Sequence, residues 1–114
     1  MADCIFCKIV AKQVPADVLF EDDTVMAFRD INPVAPVHIL VIPKRHIGSL
    51  AEAEDEHQSL LGKLLLHANK VAQEAGLSGY RVAINVGKEG GQVVPHLHVH
   101  VIGGRSADDL PALG

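Results

Sequence analysis

The pattern of apolar and polar residues along the chain predicts a sheet of short strands. Apolar runs at residues 18–20 and 24–29 flank the polar segment 21–23 and predict a hairpin. Residues 38–42 form a continuous apolar run opened by a histidine, and we expect this strand near the centre of the sheet because both of its faces are apolar. Residues 80–86 predict a fourth strand.

Residues 55–75 have the spacing of an amphipathic helix, with Gly76 as its C-terminal stop. Leu66 falls on the side opposite the apolar arc, where we look for a subunit contact. Residues 4–12 predict a short helix at best, ended by Pro15. The fold class is therefore α+β, a largely antiparallel sheet of about five strands with one long and one short helix. The arc expected to cover the sheet is His57, Leu60, Leu61, Leu64, Leu65, Ala68, Val71, Ala72 and Ala75, with His67 at its edge, and both histidines are interpreted as structural.

A fifth strand is predicted at residues 96–102, where three histidines alternate with aliphatic residues. Strand side chains alternate between faces, so the three imidazoles should share one face at a spacing of about 6–7 Å. An imidazole can act as a nucleophile, a proton carrier or a metal ligand near neutral pH. The pattern favours a functional site over a solvated strand face. Metal binding is the main alternative to nucleophilic or proton-transfer chemistry, because His-x-His is also a metal-ligand spacing. The core set is Leu97, Val99 and Val101, and the histidines are His96, His98 and His100.

Two other segments carry candidate chemistry. Residues 87–92 contain three glycines and form either a long turn or a loop whose backbone N–H groups can approach a phosphate. Cys4 and Cys7 are either two buried thiols or half of a tetrahedral zinc site. Such a site needs two more ligands, and His46 and His96 are available for it.

Composition narrows the class of function. At 114 residues and 48% hydrophobic content, the chain is expected to fold as one domain spanning residues 1–114. A net charge of −4 argues against a nucleic acid partner but leaves a small nucleotide open. The sequence has neither a long apolar run nor a signal-like start, so we expect no membrane segment and a cytoplasmic location.

The motif His96-Leu97-His98-Val99-His100-Val101-Ile102 matches the His-x-His-x-His-x-x pattern of the histidine triad superfamily. The likeness continues through residues 20–23, 27–31, 38–44 and 90–92 and through Gly103-Gly104-Arg105, and so covers nearly the whole chain. The sequence most resembles the branch of histidine triad nucleotide-binding proteins, the purine nucleoside phosphoramidases.

This resemblance implies a hydrolase that converts purine nucleoside 5′-phosphoramidates, or related AMP and GMP conjugates, to the nucleoside monophosphate. It implies that His98 attacks the α-phosphorus and forms a covalent nucleotidyl-histidine, which water then hydrolyses. His100 and Asn85 would contact the α-phosphate, and His38 would orient or tune the other histidines. No cofactor is implied for this chemistry.

The resemblance also implies a nucleotide pocket. Asp30 would accept hydrogen bonds from the ribose hydroxyls, and apolar side chains would surround the base. Backbone N–H groups of the glycine loop would help to hold the charge that develops on the phosphate. The base pocket would be Phe6, Phe28 and Ile31, and the loop residues would be Gly91, Gln92 and Val93.

Two structural features are implied as well. Some bacterial members carry a structural zinc ion, and the matching ligands here are Cys4, Cys7, His46 and His96. Such an ion would stabilise the N-terminal segment and take no part in catalysis. The resemblance further implies a homodimer in which two sheets join into one, with the long helix at the interface.

The sequence departs from the branch at two places. Val93 stands where a serine is often found near the leaving group, and the tail from Ser106 lacks a tryptophan often found there. Valine has no hydroxyl to donate, so a nucleotide-binding or scaffold protein with little turnover is a second hypothesis. A metal-dependent hydrolase that uses the three histidines of the strand as ligands is a third.

Overall fold

The computed structural model describes residues 4–105, so the tail from Ser106 lies outside the described residues. It contains strands β1 (Val18–Glu21), β2 (Val25–Arg29), β3 (Val37–Pro43), β4 (Tyr80–Ala83) and β5 (Val99–Gly103), and helices α1 (Ile5–Val10) and α2 (Gln58–Glu74). The strands form one sheet in the order β1-β2-β3-β5-β4, and each neighbouring pair is antiparallel. The predicted α+β class, with a largely antiparallel five-stranded sheet, is confirmed.

The predicted hairpin and the central strand are both present. The Asp22 carboxylate closes the turn between β1 and β2 by accepting from the N–H groups of Thr24 and Val25, each at 2.9 Å. β3 pairs with β2 on one side and β5 on the other, which explains its apolar character on both faces.

The two strands nearest the histidines are shorter than predicted. β5 begins at Val99 rather than at residue 96, because Pro95 has no N–H for a ladder and the Leu97 N–H donates to a loop carbonyl at 2.6 Å. β4 ends at residue 83 rather than 86, because its pairing with β5 finishes where Ala83 lies opposite His100. The alternation of faces nevertheless extends back to Leu97, which is buried in the core.

The two faces of the sheet are covered by different helices. α2 packs on one face and buries the larger core, while α1 packs on the other. Alternate strand residues supply the two cores, so the histidine strand presents its aliphatic residues to α2 and its imidazoles to the side of α1. The α2 side includes Val25, Ala27, Ile39, Val41, Leu64, Ala68, Val71, Ala72, Leu97, Val99 and Val101, and the α1 side includes Phe6, Ile9, Met26, Phe28, Leu40 and Ile42.

Helix α2 differs from its predicted form at its start and on one edge. It begins at Gln58 rather than residue 55, because residues 55–57 form a 3₁₀ turn closed by a capping box at Glu54. The helix meets the sheet along a narrower stripe than predicted, so the assignments of Leu65 and Ala75 to the buried face are wrong. Leu66 is exposed, as predicted. Within residues 4–105, no helix is both long and apolar enough to cross a membrane.

Candidate functional site

A cavity of about 530 Å³ lies on the α1 side of the sheet. This volume is within the range of small-ligand pockets. Of the pocket and catalytic residues expected from the sequence, Gln92 alone is missing from the lining. Those that line it are Phe6, Phe28, Asp30, Ile31, His38, Asn85, Gly91, Val93, His98 and His100.

The orientation of His98 fixes which ring nitrogen can react. Its Nδ1 lies 2.6 Å from the carbonyl oxygen of His96, and a carbonyl oxygen can only accept, so Nδ1 carries the proton. The neutral ring therefore keeps its lone pair on Nε2. The ring itself is buried, lines the cavity and is held by the edge of Phe6 at a centroid distance of 5.1 Å. In its neutral form, His98 thus presents a nucleophilic nitrogen to the cavity.

His38 and His100 form a hydrogen-bonded pair with a defined direction. The Val34 N–H donates to His38 Nδ1 at 3.1 Å, so a neutral His38 carries its proton on Nε2. That Nε2–H donates to His100 Nδ1 at 2.9 Å, which places the proton of a neutral His100 on its own Nε2. His100 therefore presents its Nε2–H as a donor, and the centroid of its ring lies 4.9 Å from that of His98.

Burial keeps this pair neutral. It is the main cause that lowers the pKa of His100 to about 4, with further contributions from His98 and His38. Burial likewise lowers the pKa of His38, against the opposing effect of the Asp30 carboxylate. Near neutral pH, the His38 Nε2–H therefore donates to His100 Nδ1 in a pair of neutral rings.

Asp30 lies at the polar end of the cavity. One carboxylate oxygen accepts from the Asn32 N–H at 2.9 Å, and the other lies 3.5 Å from His38 Nε2. The side chain is only 20% exposed, so most of it is already removed from bulk water. Such a carboxylate can accept from hydroxyl donors of a ligand at modest further desolvation cost.

Apolar side chains form the remaining wall. Phe6 contacts Phe28 edge to face, with their ring centroids 5.5 Å apart. Ile31 is 87% exposed and lies at the mouth of the cavity. Ile5 and Ile9 of α1 also line it, and their helical spacing is the sequence signal that could have assigned them to the pocket.

Two backbone N–H groups of the glycine loop, which we expected to help hold a phosphate, already donate to carbonyls within the loop. The N–H of Gly91 donates to Lys88 O, and that of Gln92 donates to Gly87 O, each at 3.0 Å. The Gln92 side chain fastens the loop by accepting from Gly87 N–H and donating to the carbonyls of Gly48 and Val94. Phosphate binding by these two N–H groups stays a prediction, and it would require them to share or exchange their present acceptors.

A second cluster lies next to the cavity behind Phe6. The sulfur of Cys4 is 3.3 Å from Nδ1 of His96, and the sulfur of Cys7 is 3.2 Å from Nδ1 of His46. All four potential ligand atoms lie within 4.8 Å of one another. The set is Cys2His2, the composition of closed structural zinc sites. The four residues suggested by the sequence are therefore brought together.

His96 is oriented as a metal ligand requires. Its Nε2–H donates to the carbonyl oxygen of Pro43 at 2.8 Å, which leaves the Nδ1 lone pair facing the two sulfur atoms. A backbone acceptor on the far ring nitrogen is the usual way in which a protein orients such a ligand. Burial, followed by the Cys4 thiol, raises the pKa of Cys7, so the binding of a cation would have to release protons from the cluster.

Asp30, His38 and His100 also lie close enough together to resemble a metal site. Here the nitrogen of His38 that faces the other two groups is Nε2, and the Val34 N–H assigns the proton to it. A metal needs a lone pair at that position, so this cluster is arranged for hydrogen bonding instead. The hypothesis that the three histidines of the strand bind one metal also lacks support, since among the described residues His96 and His100 fall in two different candidate clusters and His98 in neither.

The comparisons with known proteins identify the family. Residues 11–107 match the HIT domain family. An uncharacterized HIT-like protein of Synechococcus elongatus is 57% identical over 105 residues, which cover 91% of this chain and 92% of that protein. The protein HitA of Neisseria gonorrhoeae is 53% identical over 104 residues, covering 90% of this chain and 97% of its own.

Solved structures share the fold. The crystal structure of a HIT family hydrolase from Legionella pneumophila is 49% identical, with a TM-score of 0.89 over 91% of this chain and 95% of its own. A zinc-bound histidine triad family protein from Mycobacterium smegmatis is 34% identical, with a TM-score of 0.81 over 96% and 81%. A histidine triad nucleotide-binding protein from Candida albicans is 35% identical, with a TM-score of 0.73 over 87% and 73%. The histidine strand, the sheet that carries it and a sequence match over most of the length lead to one conclusion: the chain belongs to the HIT family.

Proposed function

We propose that the protein is a nucleotide-binding hydrolase that cleaves purine nucleoside 5′-phosphoramidates, or related nucleotidyl conjugates, to the nucleoside monophosphate. The observation that carries the proposal is the hydrogen bond from His98 Nδ1–H to the His96 carbonyl. It leaves a lone pair on Nε2 of a ring that lines the cavity. The names of the hydrolase from L. pneumophila and of the nucleotide-binding protein from C. albicans support the same class.

The reaction proceeds in two displacements. His98 Nε2 gives its lone pair to the α-phosphorus, the phosphorus–nitrogen bond of the substrate breaks, and the amine leaves with a proton taken from solvent. Water then attacks the same phosphorus, the bond to Nε2 breaks, and the nucleoside monophosphate is released as water returns a proton to solvent. The His100 Nε2–H donates to the phosphate oxygens, and Asn85 at the cavity wall adds a second polar group.

The proposed orientation of the nucleotide follows the chemistry of the cavity wall. The base lies between the apolar wall at Phe6 and Phe28 and the exposed Ile31, the ribose hydroxyls reach Asp30, and the α-phosphate lies near His98. Purine rings offer a large face for such a wall, which favours a purine over a smaller pyrimidine.

The test is steady-state hydrolysis of an adenosine 5′-phosphoramidate by the wild type, by His98→Ala and by His67→Gln. His67 is a second buried histidine, but it stacks on Phe20 outside the cavity and serves as the matched control. We expect turnover by the wild type and the control, and none by folded His98→Ala, with or without chelator. Full activity in His98→Ala would contradict the proposal.

A binding or scaffold role with little turnover is the second candidate, and Val93 favours it. Val93 is 89% exposed at the cavity wall and has no hydroxyl to assist a leaving group. A folded wild type that binds AMP but turns over no phosphoramidate would support this alternative. Rapid turnover by the wild type would exclude it.

We also propose a structural zinc ion held by Cys4, Cys7, His46 and His96. The Cys2His2 composition and the orientation of His96 by the Pro43 carbonyl support the assignment, as does the zinc-bound relative from M. smegmatis. Bound there, zinc would tie α1 to the end of β3 and to the segment before β5.

A cytoplasmic location is part of the same proposal, since it keeps both thiols available for a metal.

A further inference from the structure

Arg105 makes a long-range contact with the loop that precedes β3. Its Nε donates to the Val34 carbonyl oxygen at 3.1 Å, and its Nη2 donates to the same oxygen. The turn that brings it there uses Gly104 at φ +83°, where an added Cβ would lie 3.0 Å from Pro36 of the same loop. The end of β5 is therefore fitted closely against this loop, although the contacting residues are far apart in sequence.

Val34 connects Arg105 to the catalytic histidines. Its carbonyl accepts from Arg105, and its own N–H donates to His38 Nδ1 at 3.1 Å. Among the described residues, the other backbone anchors of this loop lie at its start, where the Asp30 N–H donates to the His38 carbonyl and the Asn32 N–H donates to the Asp30 carboxylate. Val34 itself is 53% exposed, so burial alone does not fix its position. Loss of the Arg105 contact would leave the Val34 carbonyl without this donor and would weaken the anchoring of the Val34 N–H on His38.

The Val34 N–H decides the tautomer of His38 and, through it, that of His100. Without that donor, only the Asp30 carboxylate, 3.5 Å from His38 Nε2, would favour the Nε2–H form, and both tautomers would be populated. A His38 protonated on Nδ1 would turn its Nε2 lone pair towards the lone pair of His100 Nδ1 at 2.9 Å, which is repulsive. His100 would then have to move its proton to Nδ1 and lose the Nε2–H that it directs into the cavity.

We propose that Arg105 is a positioning residue that acts through Val34 to hold His38 in the Nε2–H form and so keeps the His100 donor aimed at the phosphate. The consequence for turnover rests on the proposed function, but the effect on the tautomers does not. The positive charge of Arg105 also favours the neutral form of His38, since it contributes to the lowered pKa of that ring.

The test compares the wild type with Arg105→Gln, Arg105→Lys and the control Lys70→Gln, which removes a positive charge from the exposed side of α2. Ring-nitrogen NMR of the free protein should report the Nε2–H form of His38 in the wild type and the control, and a mixture of tautomers in Arg105→Gln. Phosphoramidate hydrolysis by Arg105→Gln should show kcat lowered about tenfold or more with KM nearly unchanged. Arg105→Lys keeps the charge and one donor, and should recover part of both signals.

A wild-type tautomer and wild-type kcat in folded Arg105→Gln would overturn the proposal. If that variant failed to fold, the tautomer of His38 in Arg105→Lys would decide, since a single donor holds Val34 less firmly than two. If the wild type hydrolysed no phosphoramidate, the proposed function would fail, while the NMR comparison would still test the role of Arg105.

Discussion

His96 and His98 each donate a hydrogen bond to a backbone carbonyl, but through different ring nitrogens. His98 uses Nδ1 and presents Nε2 to the cavity, whereas His96 uses Nε2 and presents Nδ1 to two sulfur atoms. The identity of the bonded nitrogen thus distinguishes the proposed nucleophile from the proposed metal ligand, although both rings lie on the same side of one chain segment.

Acid should weaken the fold through His100. Its pKa is about 4 in the folded protein and near 6.5 in the unfolded chain, so the unfolded chain binds the proton first as pH falls. The stability due to the neutral ring is therefore complete above pH 6.5 and is lost as pH falls towards 4. Urea unfolding across this range should show a flatter pH dependence in His100→Asn, by at most about 1.4 kcal/mol per pH unit. Parallel curves for the wild type and the variant would contradict this.

Sequence spacing could predict that three imidazoles share a face, but it could not distribute their roles. The alternation of residues 96–102 fixed the face, and the family resemblance suggested His98 as nucleophile and His96 as ligand. The groups that enforce these roles are the Pro43 carbonyl on β3, the His96 carbonyl and the Val34 N–H. Backbone groups have no sequence signature, so the tautomers and the role of Arg105 emerged only from the structure.

Among the elements, α1 contributes side chains to both the cavity and the Cys2His2 cluster. Cys4 caps its N-terminus, Cys7 follows one turn later, and Phe6 between them contacts both His96 and His98. A helix of six residues has little stability of its own, so a cation on the two cysteines would supply much of what holds it in place.

Removal of zinc should therefore affect substrate binding more than chemistry. We expect Cys7→Ser, or chelator treatment of the wild type, to lower the thermal unfolding midpoint and to raise KM severalfold, with a smaller change in kcat, because Phe6 would lose its fixed position. Elemental analysis, thermal unfolding and steady-state kinetics provide the measurements. Chelator should add nothing to Cys7→Ser. Protein purified without added metal that contains no zinc would contradict the proposal.

The existence and type of most elements could be predicted from periodicity, but their ends could not. The apolar spacing identified α2 and its main buried face, while the capping box at Glu54 set its start and the narrow contact with the sheet left Leu65 exposed. Similarly, Pro95 and the bond from the Leu97 N–H delay the start of β5. These ends depend on local hydrogen bonds and on packing partners distant in sequence.

On the scale of the whole molecule, exposed apolar side chains lie on neighbouring elements at one edge. β4 is an edge strand and carries Val82, which is 41% exposed, while α2 presents Leu65 at 50% and Leu66 at 63%. Among residues 4–105, β4 has a neighbouring strand on one side only, and a sheet edge of this kind beside exposed leucines is suited to association with a second copy. We propose the homodimer that the resemblance implies, with β4 extending the sheet and α2 at the interface.

Leu66→Asp should convert this dimer to a monomer, because it places a carboxylate in an apolar interface. Light scattering after gel filtration provides the measurement. Val18→Asp is the control: Val18 is also partly exposed, at 38%, but lies on β1 at the opposite edge of the sheet. A monomeric wild type, or an unchanged dimer in Leu66→Asp, would refute the proposed interface. The apolar pattern along the chain indicated only Leu66 for this role, since the shape of an interface depends on how separate elements are assembled.

Detection of the covalent intermediate tests the central claim most directly. An adenosine 5′-phosphoramidate would be mixed with the protein, quenched at early times and examined by intact-protein and fragment mass spectrometry under conditions that preserve phosphorus–nitrogen bonds. We predict one adenylyl group per chain, located on His98 and absent from His98→Ala. Turnover by the wild type without any adduct, or an adduct on another residue, would contradict the assignment of His98 as the nucleophile.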